Sequence, residues 1–516
     1  MVWGSKLVRL CRRLGIAGEK LDRFYLFGWE GNERYRVHAE LGDVFAVVAP
    51  GGIWVYIADP DAVWDALKRP HEFGRNLEQL AVLNVYGKNL STTEGHEWQK
   101  HRKITVATFT ERNNELVWTS SLNQAKGMLD YWVDRAAQPV RSVADDCKTF
   151  TLNVLAAALF SKPYPFEGQD EAELRRAAGG MDDSYQYRDS LSQILRNIIL
   201  IAIFGGETLK NSAWMPLAWK QAGEAVFSFR LYVQRLIDEE KGTITRGQQD
   251  RKDLVAALVR ASLAQKNEGR DMTVTEDEII SNTFVYAFAG NDTTAITLAH
   301  TIMNLAANPE TQDWISEEIN HYMETDDFAS WPYQSWTKLK RCQAVVMESL
   351  RLCHPLMSSS KLTKEVTQFR VGKSTYTLPP NTNVQLSFCG LHTNTKVWGE
   401  TAMTWNPARF VYSVGDSQDV FEAEKLRPST EKTFLPWSYG DRVCPGKKFS
   451  QVELAATLAI LFRNHRVDPV PENGETLKEA RARAQKASLD IQMTLLCEMY
   501  QPQLVGLKWT AKPGSS

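Results

Sequence analysis

A cysteine near the C-terminal end of the chain lies in a loop that suits metal-binding or nucleophilic chemistry. In the stretch 434–450, FLPWSYGDRVCPGKKFS, Cys444 stands between Gly440 and Gly446, and Arg442 precedes it by two positions. Glycine lets the backbone approach a bulky group, and a nearby positive charge favours the thiolate over the thiol. A thiolate is a metal ligand or a nucleophile. By these residues alone, a free cysteine buried in a turn is the alternative.

An acid and an alcohol stand side by side inside a long apolar segment. Thr275 and Glu278 form a capping box that opens a helix, which should run to about Ala307. Within it, Asp292 and Thr293 are the parts of a proton relay. Because the run Gly-Asn-Asp-Thr-Thr competes for backbone hydrogen bonds, we expect a bend there that admits water and a small ligand. A kink filled by satisfied polar groups is the alternative.

Three charged residues could form a buried network. Glu348 and Arg351 are three apart on a predicted helix and can pair on one face. Arg409 lies in an aromatic, proline-fixed turn and would be a second cation on Glu348. Such networks fix a structure more than they stabilise it. An ordinary surface salt bridge between Glu348 and Arg351 is the alternative.

Composition limits the classes of function. The net charge of −2 over 516 residues argues against nucleic-acid binding, which needs a basic face. With 16 Trp, 16 Tyr and 21 Phe, the chain can enclose an apolar ligand. Its seven cysteines are odd in number and scattered, which indicates a reducing compartment.

Two segments bear on membrane contact. The sequence contains no run of 18 apolar residues and no secretory signal, so it predicts no transmembrane helix. Residues 1–20 alternate basic and apolar side chains, which fits either an amphipathic segment on a membrane surface or a solvated helix. The apolar stretch 194–204 is too short to span a bilayer. It could line a cavity, touch a membrane or belong to the core.

The periodicity of the chain predicts a mainly α fold with a small β-rich part (α+β). We expect one domain over 41–510, preceded by an N-terminal segment 1–40 that could associate with a membrane. The β-rich part should come from about 41–75 and 361–390. Predicted helices follow Asp59, cover 94–108, most of 115–265 (with breaks at 162–163, 205–206 and 241–252), 310–323, 336–352 and 448–462; residues 74–93 and 391–433 look irregular.

The order of the motifs resembles the cytochrome P450 superfamily of haem-thiolate monooxygenases. The resemblance covers about residues 40–510, and stretches such as NLSTTEGHEWQKHRK are most similar to fungal members. It implies a haem held between a long distal helix and a proximal cysteine loop. The matching motifs are Trp98-x-x-x-Arg102, Ala289-Gly290-x-Asp292-Thr293-Thr294, Glu348-x-x-Arg351, Pro407-x-Arg409-Phe410 and Trp437-x-x-Gly440-x-Arg442-x-Cys444-x-Gly446.

The resemblance implies a role for each matched position. Cys444 would be the axial ligand of the haem iron, and Gly440 and Gly446 would let the loop approach the macrocycle. Thr293 and Asp292 would handle oxygen and protons. The other implied positions are the haem contacts Trp98, Arg102, Arg442, Trp437, Ala289 and Lys361; the structural triad Glu348, Arg351 and Arg409, with His392 also structural; and the substrate walls Phe284, Phe288 and Leu356, with segments 80–91, 190–204 and 356–362.

Two positions depart from the family pattern. Trp437 stands where phenylalanine is usual; it is still a flat aromatic able to pack near the sulfur, its N–H could add a donor there, and we expect a tuned haem potential and not a loss of function. Lys361 stands where an arginine often reaches a haem propionate; lysine cannot grip a carboxylate in two places, which makes it a poor replacement. Eukaryotic relatives usually begin with a membrane anchor that this sequence lacks. Either the anchor was removed, or residues 1–20 and the apolar surface bind the membrane.

The resemblance implies oxidation of a hydrophobic small molecule with O2, by haem b and electrons from NADPH. The donor would be NADPH-cytochrome P450 reductase, with cytochrome b5 as a second candidate. We expect a monomer at the cytoplasmic face of the endoplasmic reticulum and a substrate such as a terpenoid, a lipid or a xenobiotic. Four lysines would dock the reductase or are scattered in solvent: Lys447, Lys448, Lys100 and Lys103.

Two alternative functions remain at this stage. A haem-thiolate isomerase or dehydratase of peroxides would need neither O2 nor a reductase, but the pair Asp292–Thr293 argues against it. A non-catalytic protein that binds an apolar ligand or a partner would carry Cys444 as a buried thiol.

Overall fold

Helices dominate the described part of the chain. This computed structural model describes residues 28–49, 51–106, 108–135, 137–177, 183–247, 253–267, 274–415 and 419–513, with the single positions 15, 23 and 24. The predicted amphipathic segment 1–20 therefore lies, except for Gly15, outside the described residues. No helix among the described residues combines the length and the apolar character that crossing a bilayer requires.

The helices fall largely where the sequence predicts them. They are α1 Trp29–Glu33, α2 Arg36–Leu41, α3 Pro60–Lys68, α4 Leu77–Leu80, α5 Gly95–Val106, α6 Glu111–Asp134, α7 Val143–Phe160, α8 Gln169–Ala177, α9 Asp183–Arg196, α10 Ile198–Phe204, α11 Gly206–Asn211, α12 Leu217–Thr245, α13 Leu254–Asn267, α14 Glu276–Ala307, α15 Pro309–Tyr322, α16 Lys340–Leu352, α17 Phe388–His392, α18 Thr395–Trp398, α19 Val420–Ala423, α20 Lys447–Arg463 and α21 Leu477–Leu489.

Within the described ranges, the strands form one five-stranded sheet and four two-stranded sheets. They are β1 Val44–Ala49, β2 Gly52–Ile57, β3 Phe73–Arg75, β4 Ser358–Thr363, β5 Thr367–Val371, β6 Ser374–Leu378, β7 Asn383–Ser387, β8 Val411–Ser413, β9 Glu424–Leu426, β10 His465–Pro469, β11 Ile491–Met493, β12 Cys497–Met499 and β13 Leu507–Ala511. The large sheet has the order β1-β2-β7-β4-β3. It joins two distant parts of the chain through parallel pairing of β2 with β7.

The long helix α14 crosses the helical part of the molecule. Its capping box is present, because the Glu278 N–H donates to Thr275 Oγ1 at 3.2 Å and the Thr275 N–H donates to Glu278 Oε2 at 2.9 Å. Most of its side chains are buried, and it packs against α7 and α21. The helix is uninterrupted from Glu276 to Ala307. The bend expected near residue 291 therefore does not interrupt the helix.

Three other expectations need correction. Helix α12 continues through the predicted break at residue 241 and ends at Thr245, while residues 248–252 lie outside the described part of the chain. The stretch 74–93 contains the end of β3, helix α4 and the 3-10 turn Ala81–Leu83. The stretch 391–433 likewise contains short helices and the pair β8–β9. Short elements of this kind carry too few residues for a periodic signal.

Candidate active site

A cavity lies between the long helix α14 and the cysteine loop. The space between its lining atoms, with its opening included, measures about 1270 Å³. Further apolar wall comes from Phe109, Leu155 and Leu159. Helix α14 lines it with Val285, Tyr286, Ala289, Gly290, Thr293, Thr294 and Thr297, and the loop lines it with Pro436, Trp437, Ser438, Arg442, Cys444, Pro445 and Gly446. The fold thus brings the threonine of one motif and the cysteine of another to the same cavity.

The loop holds Cys444 with its sulfur accessible from the cavity. The Cys444 N–H donates to Trp437 O at 2.9 Å, which closes the loop. Gly440 has φ +77°, in the left-handed region, and a Cβ there would lie 3.2 Å from Leu67 O. Gly446 precedes α20, so the sulfur lies near the positive end of a helix. Burial raises the pKa of the Cys444 thiol, against the opposing hydrogen bond from Gly446.

The indole N–H of Trp437 does not reach the sulfur, contrary to our expectation. It donates to Ser450 Oγ at 3.1 Å. The Ser450 hydroxyl in turn donates to Lys447 O at 3.0 Å. Trp437 therefore ties the loop to the first turn of α20, and its ring remains a wall of the cavity.

The middle of α14 is shaped to admit a ligand without a bend. Ala289 is exposed to the cavity although the residues just before it on the helix are buried. A Cβ on Gly290 would lie 2.9 Å from a methyl carbon of Leu155 on α7. Glycine at 290 therefore allows the two helices to pack closely, and the small side chain at 289 leaves room on the side of the cavity.

Asp292 and Thr293 face different surroundings. The Thr293 hydroxyl lines the cavity and donates to Ala289 O at 2.7 Å. Asp292 does not line the cavity and accepts a hydrogen bond from Asn291 Nδ2 at 2.8 Å. Burial raises the pKa of Asp292 to about 6, opposed by the charge of Lys148. The acid thus belongs to a polar network behind the helix, while the alcohol belongs to the cavity.

A cluster of cations lies beside the cysteine loop. The Arg442 guanidinium lies 4.1 Å from the centroid of the Trp98 ring and donates to Thr93 O at 2.9 Å. Burial, with help from the charge of Arg75, lowers the pKa of Arg442 to about 10. Burial also lowers the pKa of Lys361 to about 8, and the charges of Arg75 and Arg442 add to that effect. Positive charges are therefore concentrated where few acids oppose them.

The cluster has unused donors. Among the described residues, the side chains of Arg75, Arg102 and Lys361 have no hydrogen-bond or ion-pair partner within the usual distances. Glu94 is an acid close to them, but it accepts from the Arg75 backbone N–H and from Lys364 Nζ. Such a site is suited to a ligand that carries carboxylates.

Arg75 is a site residue that the sequence reasoning missed. It follows Gly74 at the end of β3 and stands opposite Lys361 across the β3–β4 pair. Its segment has no motif and little periodicity. The pairing of β3 with β4, which are distant in the sequence, places it beside Arg442, and no local signal could have shown this.

The structure places the expected substrate walls differently. Phe284 lies in the core, with its ring 5.4 Å from that of Tyr86 and 5.9 Å from that of Phe229. Phe288 is also buried in the core and does not line the cavity. Leu356 does line it, as do Leu90 and Ser91 of segment 80–91. Segment 190–204 contributes no wall residue to this cavity.

The predicted buried network is present. Arg351 Nε and Nη2 donate to the two oxygens of Glu348 at 2.7 and 2.9 Å, and Arg409 Nε donates to Glu348 Oε1 at 3.2 Å. Arg351 Nη1 also donates to the carbonyl of His392 at 2.9 Å. His392 Nε2 accepts the N–H of Leu435 at 2.9 Å. The network thus anchors the start of the cysteine loop and lies away from the cavity.

The donors present fit an iron porphyrin. Cys444 offers a thiol on one side of a largely apolar space, and α14 faces it with small and hydroxyl side chains. Arg75, Arg102 and Lys361 offer unused donors for propionates, and Trp98 and Arg442 stack beside them. Together the fold and the site define a helical protein with a thiol and a carboxylate-binding edge around one cavity.

Comparison with known proteins identifies the class. The family model for cytochrome P450 matches residues 31–493, and the chain belongs to the cytochrome P450 family. A cytochrome P450 monooxygenase of Arthrobotrys oligospora is 28% identical over 505 residues, which cover 92% of this chain and 85% of that protein. The phomenoic acid biosynthesis cluster cytochrome P450 monooxygenase of Leptosphaeria maculans is 28% identical over 457 residues, 82% and 75% of the two chains.

A plant relative is more distant. Secologanin synthase 1 of Catharanthus roseus is 23% identical over 424 residues, 81% of this chain and 74% of that protein. The predicted fold class and the predicted enzyme class, a cytochrome P450 monooxygenase, are confirmed. The family implies haem as the cofactor.

Replacing Arg442 by glutamine is expected to weaken haem retention about 10-fold, a typical effect for a group that orients a cofactor. The change removes a buried charge next to the unused donors of the cluster. The rate of haem transfer to excess apomyoglobin measures the effect. The control is Lys432→Gln, which removes an exposed cation paired with Asp61. Equal rates for both variants would contradict the assignment.

Proposed function

We propose that the chain binds haem b in this cavity, with Cys444 as the axial ligand, and oxidises a hydrophobic small molecule with O2. Electrons come from NADPH through a cytochrome P450 reductase, with cytochrome b5 as a second candidate donor. The name of one fungal relative, a monooxygenase of the phomenoic acid biosynthesis cluster, supports a fungal secondary metabolite, such as a terpenoid or a lipid, as the substrate. We further propose that the protein works as one domain and as a monomer.

One observation carries the proposal: the Cys444 sulfur and the Thr293 hydroxyl line the same cavity. A thiol alone would fit many proteins, and a threonine that bonds to its own helix would fit any helix. Their convergence on one largely apolar space leaves room for a flat cofactor between them. The unused cations beside the loop add a place for its carboxylates.

The test is a spectrum followed by turnover. The reduced protein with carbon monoxide should show the Soret shift of a thiolate-ligated haem. Product should then form from a hydrophobic substrate only when NADPH, reductase and O2 are all present. Turnover with a hydroperoxide, and none with NADPH and reductase, would support a peroxide isomerase or dehydratase instead. A protein that folds stably without haem would support a non-catalytic binding function.

Different residues of this chain have different roles in the proposed oxidation. The bound haem would supply an iron that activates O2, and a thiolate ligand favours cleavage of the O–O bond. Thr293 presents its hydroxyl to the cavity, where the hydroxyl oxygen can accept a hydrogen bond from a proton donor and hold it there. Asp292, which is next to Thr293 on the helix but does not line the cavity, can pass protons toward it. The apolar walls exclude bulk water.

The network behind Asp292 has a route to the surface. Lys148 Nζ forms an ion pair with Glu498 Oε2 at 3.3 Å, and both groups act on the pKa of Asp292. Lys148 is about one-third exposed and so meets solvent. Rotation of the Asp292 side chain between this pair and Thr293 would connect solvent protons to the cavity.

Changing Asp292 to asparagine is expected to slow O2-dependent turnover about 100-fold, at the lower end for loss of a proton-transfer group. Since the pKa of Asp292 is raised to about 6, its proton is held at mildly acidic pH and lost above it. Wild-type turnover should therefore decline as the pH rises through 6, whereas the variant should show a flat profile. The measurement is NADPH-driven product formation against pH.

The raised pKa of Asp292 also predicts how the stability of the protein depends on pH. Because the pKa of Asp292 is higher in the folded chain than its usual 3.8, ionisation favours unfolding. As the pH rises from about 4 to 6, the free energy of unfolding of the wild type should therefore fall relative to that of the Asp292→Asn variant. A variant with wild-type turnover at every pH would exclude Asp292 as a proton carrier.

The lysines proposed to dock the reductase are partly engaged. Lys448 pairs with Glu111 at 2.6 Å, and Lys100 pairs with Glu278 at 2.8 Å. Lys447 donates to Thr430 Oγ1 at 3.0 Å. Lys103 is exposed. We infer that an acidic reductase meets chiefly Lys103 and the half-exposed Lys448.

Exposed apolar side chains support contact with a membrane surface, which we place at the cytoplasmic face of the endoplasmic reticulum. Ile203 at the end of α10 is 68% exposed, and Trp214 and Leu217 are 71% and 73% exposed. The rings of Phe204 and Trp219 lie 5.7 Å apart and join these two segments. An apolar surface of this kind can insert at the lipid interface.

The double variant Ile203→Glu, Trp214→Glu is expected to weaken binding to phosphatidylcholine vesicles at least about 10-fold, because two large apolar groups no longer enter the lipid. Cosedimentation with the vesicles measures it. Leu174→Glu is the control, because Leu174 is 70% exposed on a different helix, α8. Similar losses in both variants would contradict a localised membrane contact.

A further inference from the structure

A buried histidine links the wall of the cavity to the cysteine loop. His354 follows helix α16, lines the cavity and is 3% exposed. Its Nε2 lies 2.9 Å from Pro436 O, at the start of the cysteine loop. Its Nδ1 lies 3.0 Å from the N–H nitrogen of Leu356, a residue of the cavity wall. The ring therefore spans two segments that are far apart in the sequence.

The surroundings of the ring define its tautomer. A proton on Nε2 lets the neutral ring make two hydrogen bonds, one to Pro436 O and one from the Leu356 N–H to Nδ1, whereas a proton on Nδ1 would leave only the bond to Leu356 O. Burial lowers the pKa of His354, so the ring is neutral and Nδ1 accepts the N–H of Leu356. Leu356 O also lies 2.6 Å from Nδ1, so a charged ring would donate to both carbonyls, and burial opposes that charge. The neutral ring uses both nitrogens.

A second histidine holds the neighbouring residue of the loop. His392 Nε2 accepts the N–H of Leu435 at 2.9 Å, one position before Pro436. The rings of His354 and His392 lie 5.5 Å apart. One histidine thus accepts from the loop, and the other donates to it. Only His354 also lines the cavity.

A short path of hydrogen bonds leads from His354 to the cysteine. Pro436 is joined by a peptide bond to Trp437, whose carbonyl accepts the N–H of Cys444 at 2.9 Å. The carbonyls of consecutive residues, Pro436 and Trp437, are therefore held by the ring and by the cysteine backbone. If the bond to Pro436 is lost, this segment is freed on the side of the cavity.

We propose that His354 is a positioning residue that holds the start of the cysteine loop against the cavity wall and so keeps Cys444 in place to ligate the iron. The inference rests on the proposed function, because it concerns the same thiolate. A ligand that contacts Leu356 contacts the residue whose N–H donates to His354 Nδ1. The wall and the loop therefore move as one unit.

Two amide variants separate the two bonds of the ring. The amide of glutamine reaches the position of Nε2, so His354→Gln can still donate to Pro436 O. The amide of asparagine reaches only the position of Nδ1, so His354→Asn keeps the contact with Leu356 and loses Pro436. The quantity to measure is the rate at which the ferrous–carbonyl complex loses its thiolate-type Soret band. We expect His354→Asn to lose it about 10-fold faster than the wild type, as for other groups that orient a ligand, and His354→Gln to be close to the wild type.

His300 supplies the control for general loss of stability. It is fully buried on α14, its Nδ1 lies 2.9 Å from Ser488 O, and it does not line the cavity. His300→Leu should lower the thermal midpoint without accelerating loss of the thiolate band. The proposal is overturned if His354→Asn behaves like His300→Leu, or if His354→Gln loses the band as fast as His354→Asn. A wild type with no thiolate-type band would instead refute the proposed function itself.

Discussion

Replacing Cys444 by serine is expected to remove the thiolate-type Soret band of the ferrous–carbonyl complex and to abolish NADPH-driven oxidation. The sulfur is accessible from the cavity, so a change at its position acts on the cofactor directly. A serine hydroxyl does not ionise at neutral pH and cannot push electron density onto iron as a thiolate does. The spectrum of the reduced, carbon monoxide-treated variant measures the effect, and far-UV circular dichroism reports whether the fold persists.

The matched control is Cys342→Ala. Cys342 is also a free thiol, but it is fully buried on α16 and does not line the cavity. Its removal should leave the spectrum unchanged, although a buried side chain is shortened. If Cys444→Ser keeps the band, or if Cys342→Ala loses it, the ligand is not Cys444.

The sequence was sufficient for elements with a strong local signal. The capping box at Thr275 and the proline after Asn308 place both ends of α14 correctly. The β-rich part predicted at about 41–75 contains β1, β2 and β3. Each of these signals acts within one or two turns of the chain. Local rules therefore suffice to predict such elements, because the local preference agrees with the fold.

The predicted bend in α14 shows where a local rule fails. The run at residues 290–294 is unfavourable for a helix, and for this reason the sequence predicts a bend there. In the structure, Thr293 donates to Ala289 O, and Thr151 of α7 donates to Asn291 Oδ1. The competing hydrogen bonds thus go to the helix itself and to a neighbouring helix. Packing offsets the unfavourable composition.

The motif residues of the site were accessible to sequence reasoning, but their surroundings were not. The spacing of Cys444, Arg442 and Gly440 is local, so a loop around the sulfur could be predicted. The hydrogen bond of the Trp437 indole to Ser450, in place of the sulfur, depends on a side-chain orientation. Arg75 reaches the cation cluster through strand pairing across the chain. The spacing of residues along the sequence does not reveal such contacts.

Phe284 illustrates the same limit for the substrate walls. The positions of this helix that line the cavity recur every three to four residues, and one residue along the chain turns a side chain by about 100° about the axis. Val285 lines the cavity, whereas Phe284 packs against Tyr86 and Phe229. The rotation angle of α14 about its own axis decides which of its side chains face the cavity and which face the core. That angle is set by packing against α7, for which Gly290 is the contact point.

Replacing Glu348 by glutamine is expected to lower the free energy of unfolding by about 3–5 kcal/mol, the range for breaking a buried ion pair by removing one partner. Glu348 and Arg351 are both fully buried, so Arg351 would keep its charge without a counter-ion. Arg409 would lose its carboxylate as well. Urea unfolding followed by circular dichroism measures the change. The haem spectrum should survive at low urea, because the network does not line the cavity.

The same substitution at a surface ion pair tests whether burial is the cause. Glu111 pairs with Lys448 at 2.6 Å, a distance shorter than the 2.7 Å between Arg351 and Glu348. Glu111 is 68% exposed, however, and such pairs contribute less than about 1 kcal/mol. Glu111→Gln should therefore leave the urea midpoint nearly unchanged. If both variants shift the midpoint equally, burial of the ion pair is not the cause of the effect. If only Glu348→Gln does so, the scaffold behind Cys444 depends on an ion pair that water cannot reach.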